Sequence, residues 1–203
     1  MTPSKPWLVG LTGGIACGKS NLSAALRAHG AVVIDADEIS RALTAPGGAA
    51  LSPIRQRFGS QVFKGEQLDR VALSALVFPC KSQLDALNAI MHPLVFREMD
   101  RLAEQHQEAA ALVADVPLLY ETGYDAHCRE VWCAWAPETA QLARLMARGL
   151  SREDALVRIH SQMPAMEKAL RADRVIITTG DKEHSAQAVI RLFEELLRRC
   201  QRA

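Results

Sequence analysis

Gly13-Gly14-Ile15-Ala16-Cys17-Gly18-Lys19-Ser20 decides the fold class of this chain. It matches the pattern G-x-x-x-x-G-K-[ST], which carries weight only between a strand and a helix. Both neighbours are present. Before it, Trp7-Leu8-Val9-Gly10-Leu11 is a short apolar run of the kind that forms a buried strand. After it, Leu22, Ala25, Leu26 and His29 recur at helical spacing, and Gly30 is placed to end that helix. In such a loop the backbone N–H groups turn inward toward phosphate oxygens, and the helix start adds its positive dipole end. Lys19 is then expected at the β- and γ-phosphates of a nucleotide and Ser20 on magnesium, with Gly13 to Asn21 forming the ATP-binding run. Cys17 lies inside the loop, where a helix N-terminus lowers a thiol's pKa, so it is expected to be a site of alkylation or oxidation rather than a catalyst.

Working outward, four more apolar runs read as strands: Ala31-Val32-Val33-Ile34, Ala111-Leu112-Val113-Ala114, Val131-Trp132-Cys133-Ala134 and Val175-Ile176-Ile177-Thr178. Five strands alternating with helical segments predict an α/β fold: a three-layer nucleotide-binding fold with a five-stranded, mostly parallel sheet and ligands beyond the carboxyl ends of its strands. Two helical stretches without strand signals interrupt the alternation. One domain is expected over 1–203, with a core at about 7–37, 108–137 and 170–203, a helical insertion at about 38–107, and a helical lid at about 138–169. Only Met1 to Lys5 and Arg198 to Ala203 read as loose ends.

Composition narrows the function. The net charge is +1, from 24 lysines and arginines against 23 acidic residues. With no overall excess to condense on nucleic acid or a membrane, phosphate binding must be local. The five cysteines are odd in number and never spaced as C-x-x-C, which fits a reducing cytoplasm better than a disulfide framework or a zinc site. No run of about 18 apolar residues suggests a membrane span, and no signal peptide is inferred.

A phosphate loop alone does not distinguish kinases from switches and motors. Asp35 and Asp37 follow the second strand. One carboxylate is needed to cap the next helix, which leaves Asp37 as the candidate general base for an attacking hydroxyl. Asp115 closes the third strand as either a magnesium-holding carboxylate or a cap, and Glu121, six residues on, is either a substrate contact or a solvated side chain. Arg144 and Arg148 are one helical turn apart, and on a shared face they would clamp a transferring phosphate. Ser151 looks like a helix start that places Arg158 and Gln162 one turn apart before Pro164. His92, before Pro93 in the insertion, meets either an acceptor's phosphate or the core. The residues thus point to an ATP-dependent kinase acting on a small molecule, with a nucleoside or nucleotide kinase, or a nucleotide-dependent switch or assembly ATPase, as the other readings.

Leu11-Thr12-Gly13-Gly14-Ile15 running into Gly18-Lys19-Ser20, Val33-Ile34-Asp35-Ala36-Asp37, His92-Pro93, Pro117-Leu118-Leu119-Tyr120-Glu121 and Ala172-Asp173 before Val175-Ile176 together resemble the dephospho-CoA kinases, in order and spacing, over nearly the whole chain. The resemblance implies transfer of the ATP γ-phosphate to the ribose 3′-hydroxyl of dephospho-coenzyme A, with Mg2+, in the last step of coenzyme A synthesis. It implies Asp37 as base, Lys19 and Ser20 as phosphate and magnesium contacts, Arg148 as lid arginine, and the helical insertion, with His92, as the acceptor-binding part. The substrates would be ATP and dephospho-coenzyme A, with no nucleic acid or membrane partner, in a cytoplasmic monomer or weak homo-oligomer. Departures from the family pattern fall at Ala16 and Cys17, at Asn21, at Gly149, and at Ile177-Thr178 near the adenine. A positive φ at Ala16 would cost of order 1 kcal/mol and weaken ATP binding.

Overall fold

The computed structural model describes residues 6–202; Met1 to Lys5 and Ala203 lie outside them. Strand β1 (Trp7–Gly13) enters the phosphate loop and helix α1 (Lys19–Ala28) leaves it. Then come β2 (Val32–Asp35), α2 (Ala36–Leu43), α3 (Leu51–Phe58), β3 (Phe63–Lys64), β4 (Gln67–Leu68), α4 (Arg70–Val77) and α5 (Lys81–Glu104). The chain continues through β5 (Ala111–Asp115), β6 (Glu130–Trp135), α6 (Glu138–Met146), α7 (Arg152–His160), α8 (Ala165–Arg171), β7 (Arg174–Ile177) and α9 (Lys182–Cys200).

The five predicted strands form one sheet in the order β2-β5-β1-β6-β7. β1 pairs in parallel with β5 and β6, and β6 in parallel with β7. The strand that feeds the phosphate loop is therefore central and buried on both faces, which is why it reads as an apolar run. Its residues alternate. Val9 and Leu11 are fully buried in a core with Leu22 and Leu26 of α1 and Val189, Phe193 and Leu196 of α9. Gly10 looks the other way, where an added Cβ would sit 2.8 Å from Leu119 and 2.9 Å from the Cys128 sulfur. Gly30, at φ 89°, closes α1 as its spacing predicts.

Two features of the sheet have physical causes that its apolar pattern does not contain. Asp173, from the Ala172-Asp173 pair, takes the Val131 N–H on its side chain at 2.7 Å and gives its own N–H to Val131 O at 2.9 Å, so it sets the register where β6 and β7 begin. Arg199 donates to the buried Glu130, which also accepts the indole N–H of Trp132 at 2.9 Å. The basic end is thus helical through Cys200 and tied down, correcting the expectation of a loose end from Arg198.

Asp35–Leu102 forms a compact unit of its own, and the described residues of 6–34 and 103–202 form the other. The smaller unit is mainly helical, but it contains a hairpin, β3 with β4, where no strand was expected. Two-residue strands are too short to show alternation. Its core is Ala50, Ile54, Phe58, Val62, Leu73 and Val77. Asp35 and Asp69 each cap a helix start, accepting from the N–H groups two and three residues on. Ile54 is fully buried, so Ile54→Ala should lower stability in urea unfolding by about 2–4 kcal/mol; a loss under about 1 kcal/mol would mean this core is not packed as described.

Candidate functional site

The site is built on the turn from β1 into α1. Gly13 is required by close approach, since a Cβ there would lie 2.6 Å from the Ala134 carbonyl oxygen of β6. Gly18 caps α1 in the left-handed region at φ 84°, with Thr178 directly against it. Ala16 is the one described non-glycine residue with positive φ, at 58°. The condition for strain in the loop is met, at a cost of order 1 kcal/mol.

Two neighbours hold the loop backbone close to Ala16. Arg144 of α6 donates to Ala16 O at 2.9 Å and also to the Thr178 hydroxyl and carbonyl. Gln162 accepts the Ile15 N–H on its Oε1 at 3.1 Å. Thr178 in turn donates its hydroxyl to Cys17 O at 2.6 Å. Arg144 and Thr178 therefore reach the loop's backbone, with their hydrogen-bonding atoms engaged there.

Lys19 points to Asp115 at the end of β5, forming an ion pair with a carboxylate that is 2% exposed. Ser23, one turn into α1, donates to the other oxygen of the same carboxylate. Ser20 is exposed at the mouth of the loop. Asn21 is turned elsewhere: its amide donates to Lys182 O at 2.9 Å and to Ser185, joining α1 to α9. The side chain of Asn21 in the expected ATP-binding run is thus used between helices.

Glu121, expected either at substrate or in solvent, is an exposed residue whose carboxylate is engaged within the protein. It accepts from the Met163 N–H at 3.0 Å and from Lys168 Nζ at 2.8 and 3.0 Å, and Lys168 is fully buried. Arg148 is exposed, and it does not share a helical face with Arg144. α6 ends at Met146, and Arg148 and Gly149 form the turn that follows. α7 ends at His160 for the same kind of local reason, so Gln162 lies in the linker before α8 rather than one helical turn from Arg158. In the smaller unit, Asp35 is the cap of α2 and Asp37 is exposed in its first turn. His92 stacks on Phe96 with ring centroids 5.9 Å apart, and burial pushes its pKa down, so the ring is neutral at pH 7.

Comparison with known proteins agrees with this geometry. The family described as dephospho-CoA kinase matches residues 7–183. The chain belongs to the dephospho-CoA kinase family. A dephospho-CoA kinase of Symbiobacterium thermophilum is 46% identical over 186 residues, covering 90% of this chain and 78% of that protein. A crystal structure of a Thermus thermophilus protein superposes with a TM-score of 0.83 at 36% identity, covering 95% of this chain and 99% of that one. A dephospho-CoA kinase from Campylobacter jejuni gives a TM-score of 0.70 at 26% identity, covering 94% and 97%. Dephospho-CoA kinase family membership brings ATP and dephospho-coenzyme A as substrates, and the parallel sheet with its phosphate loop is the fold it requires. No helix among the described residues is long and apolar enough to cross a membrane.

Cys17 behaves differently from its expectation. It is fully buried, its sulfur faces Ala136 O, and burial pushes its pKa up despite backbone hydrogen bonds and the nearby charges of Arg144 and Lys168. Loss of solvent outweighs the dipole of the helix start. The thiol with a lowered pKa is the exposed Cys80, whose neighbour Ser82 hydrogen-bonds to it. Brief iodoacetamide treatment of the native protein at pH 7, read by peptide mass spectrometry, should label Cys80 first and leave Cys17 intact until denaturant is added. Cys17 modified as fast as Cys80 would contradict this packing.

Proposed function

We propose that this chain transfers the γ-phosphoryl group of ATP to the ribose 3′-hydroxyl of dephospho-coenzyme A, giving ADP and coenzyme A. The observation that carries the reading at residue level is the pairing of Lys19 with a buried Asp115 directly beneath a glycine-capped phosphate loop. An ammonium held there is poised to turn to the β- and γ-phosphates when nucleotide arrives.

The donor set suits magnesium. Ser20 offers a hydroxyl and Asp115 a carboxylate, both hard oxygen ligands, and no cluster of three or more ligating side chains is found among the described residues. Mg2+ is commonly held by one or two protein oxygens together with substrate phosphates, so it would arrive with ATP. When bound there, it would supply charge neutralisation of the phosphates. As Lys19 moves to the phosphates, Asp115 keeps its hydrogen bond from Ser23 and gains the freedom to accept another cation.

In the transfer itself, the 3′-hydroxyl oxygen forms a bond to the γ-phosphorus while the bond from that phosphorus to the β–γ bridging oxygen breaks. Asp37 accepts the hydroxyl proton, and ADP leaves with the electron pair of the broken bond. Asp37 suits this role because α2 is capped by Asp35, so capping makes no demand on the Asp37 carboxylate. Of the two lid arginines, Arg148 is assigned to the transferring phosphate, because Arg144 is engaged with Ala16 and Thr178. The unit Asp35–Leu102, including His92, is assigned to the acceptor. Five free cysteines fit a reducing cytoplasm.

Asp37→Asn removes the proton acceptor while leaving the phosphate loop whole. It should lower kcat with dephospho-coenzyme A by about 10²–10⁴, and ATP affinity should hold within about twofold, a tolerance set at well under one lost hydrogen bond. A variant with undiminished kcat would remove Asp37 from the mechanism.

A further inference from the structure

Lys168 has no part in the chemistry above, yet it is a fully buried cation. Burying an ammonium costs several kcal/mol by general estimates unless it is paired and hydrogen-bonded. Here it is both, donating to Glu121 and, at 2.7 Å, to Pro117 O. Following those partners outward leads to the phosphate loop from two directions. Pro117 O also accepts the Thr12 hydroxyl at 3.1 Å, and Thr12 is the next-to-last residue of β1. Glu121 accepts the Met163 N–H at 3.0 Å, and the residue before Met163 is Gln162, whose Oε1 takes the Ile15 N–H.

We infer that Gln162 is a positioning residue for the phosphate loop, held in place through Met163 by Glu121, which is itself paired with the buried Lys168. The inference rests on the nucleotide-binding reading of the loop. Three observations carry it. Ile15 immediately precedes Ala16, the residue with φ 58°, so the hydrogen bond falls on the Gly14–Ile15 peptide, one residue ahead of the strained position. An unfavourable φ persists only where its surroundings over-determine it, and here Gln162 holds one side and Arg144, on Ala16 O, the other. Finally, Gln162 is outside any helix and lines a cavity of about 410 Å³ with Trp135, Pro137, Ile159 and Met166. Open space on that side leaves its amide located by the Ile15 hydrogen bond and the Met163 anchor rather than by tight packing.

The network also ties the loop to the helical segment around α6 and α7. Gln162 and Met163 form part of the linker that leaves α7, and Arg144 is on α6, so both ends of the helical pair grip the same short stretch of loop backbone. A brace serving stability alone would have no reason to end on a phosphate-loop N–H. One that shapes the loop should be felt in nucleotide affinity before stability.

The test uses the full chain and MgADP, with no acceptor present, so it does not depend on which acceptor the enzyme uses. Gln162→Met keeps the side-chain volume, suits the mostly apolar cavity, and removes the acceptor for Ile15. It should weaken MgADP binding in calorimetry about five- to tenfold, the size of one lost hydrogen bond, and speed hydrogen exchange at the Ile15 amide. Adding Ala16→Gly relieves the positive φ, so it should recover more affinity in Gln162→Met than it adds in the wild type. Gln162→Leu gives a second variant with the same readouts if the first unfolds. MgADP affinity within about twofold of wild type in the folded variant, well short of one hydrogen bond, or no coupling to Ala16→Gly, would overturn the inference. Wild-type protein that fails to bind MgADP would overturn the nucleotide reading beneath it as well.

Discussion

The structure depends first on a buried carboxylate. Asp115 ends β5 inside the protein, at 2% exposure, and Lys19 and Ser23 meet its two oxygens there. Both partners lie on the first turns of α1, so the ion pair that satisfies Asp115 also fixes where α1 begins relative to the sheet. The loop between β1 and α1 is then stretched over a fixed gap, and its glycines follow from the lack of room: Gly13 against Ala134 O and Gly18 against Thr178. The same pair holds Lys19 at the site without leaving its charge unbalanced. Charge neutralisation, which is most of what a protein contributes to phosphoryl transfer, is in this way prepared by the fold's own need to pair a buried charge.

Around that centre the loop is held in a shape its sequence does not favour. An alanine in the left-handed region conflicts with local preference, and such conflicts are expected at functional sites. Arg144, Thr178 and Gln162 come from three distant parts of the chain, and each bonds the loop's backbone rather than its side chains. Backbone contacts of this kind leave the loop's side chains free to vary, which gives Cys17 room to be a packed, protected thiol in a place where a reactive one was expected.

What could be read beforehand follows from the range of each interaction. The five strands, the phosphate loop, the end of α1 at Gly30 and the Asp35 cap are written in contiguous residues, through apolar runs and short-range hydrogen bonds, and all of them stand in the structure. The hairpin of β3 and β4 is too short to announce itself. Arg144 and Arg148 have the spacing of a shared face, but the helix ends between them. Gln162 acts on Ile15 across 147 residues, and Lys168 is paired with Pro117 and Glu121, which lie between β5 and β6 in sequence. Neither has a local signal; only the folded topology brings them to the loop.

The most direct test of the account is the coupling between the two substrates. With purified protein, ATP and magnesium, coenzyme A formation followed by mass and ADP release followed in parallel should rise together, one for one, only when dephospho-coenzyme A is present. ADP released at the same rate without the acceptor, or with no coenzyme A formed, would contradict it.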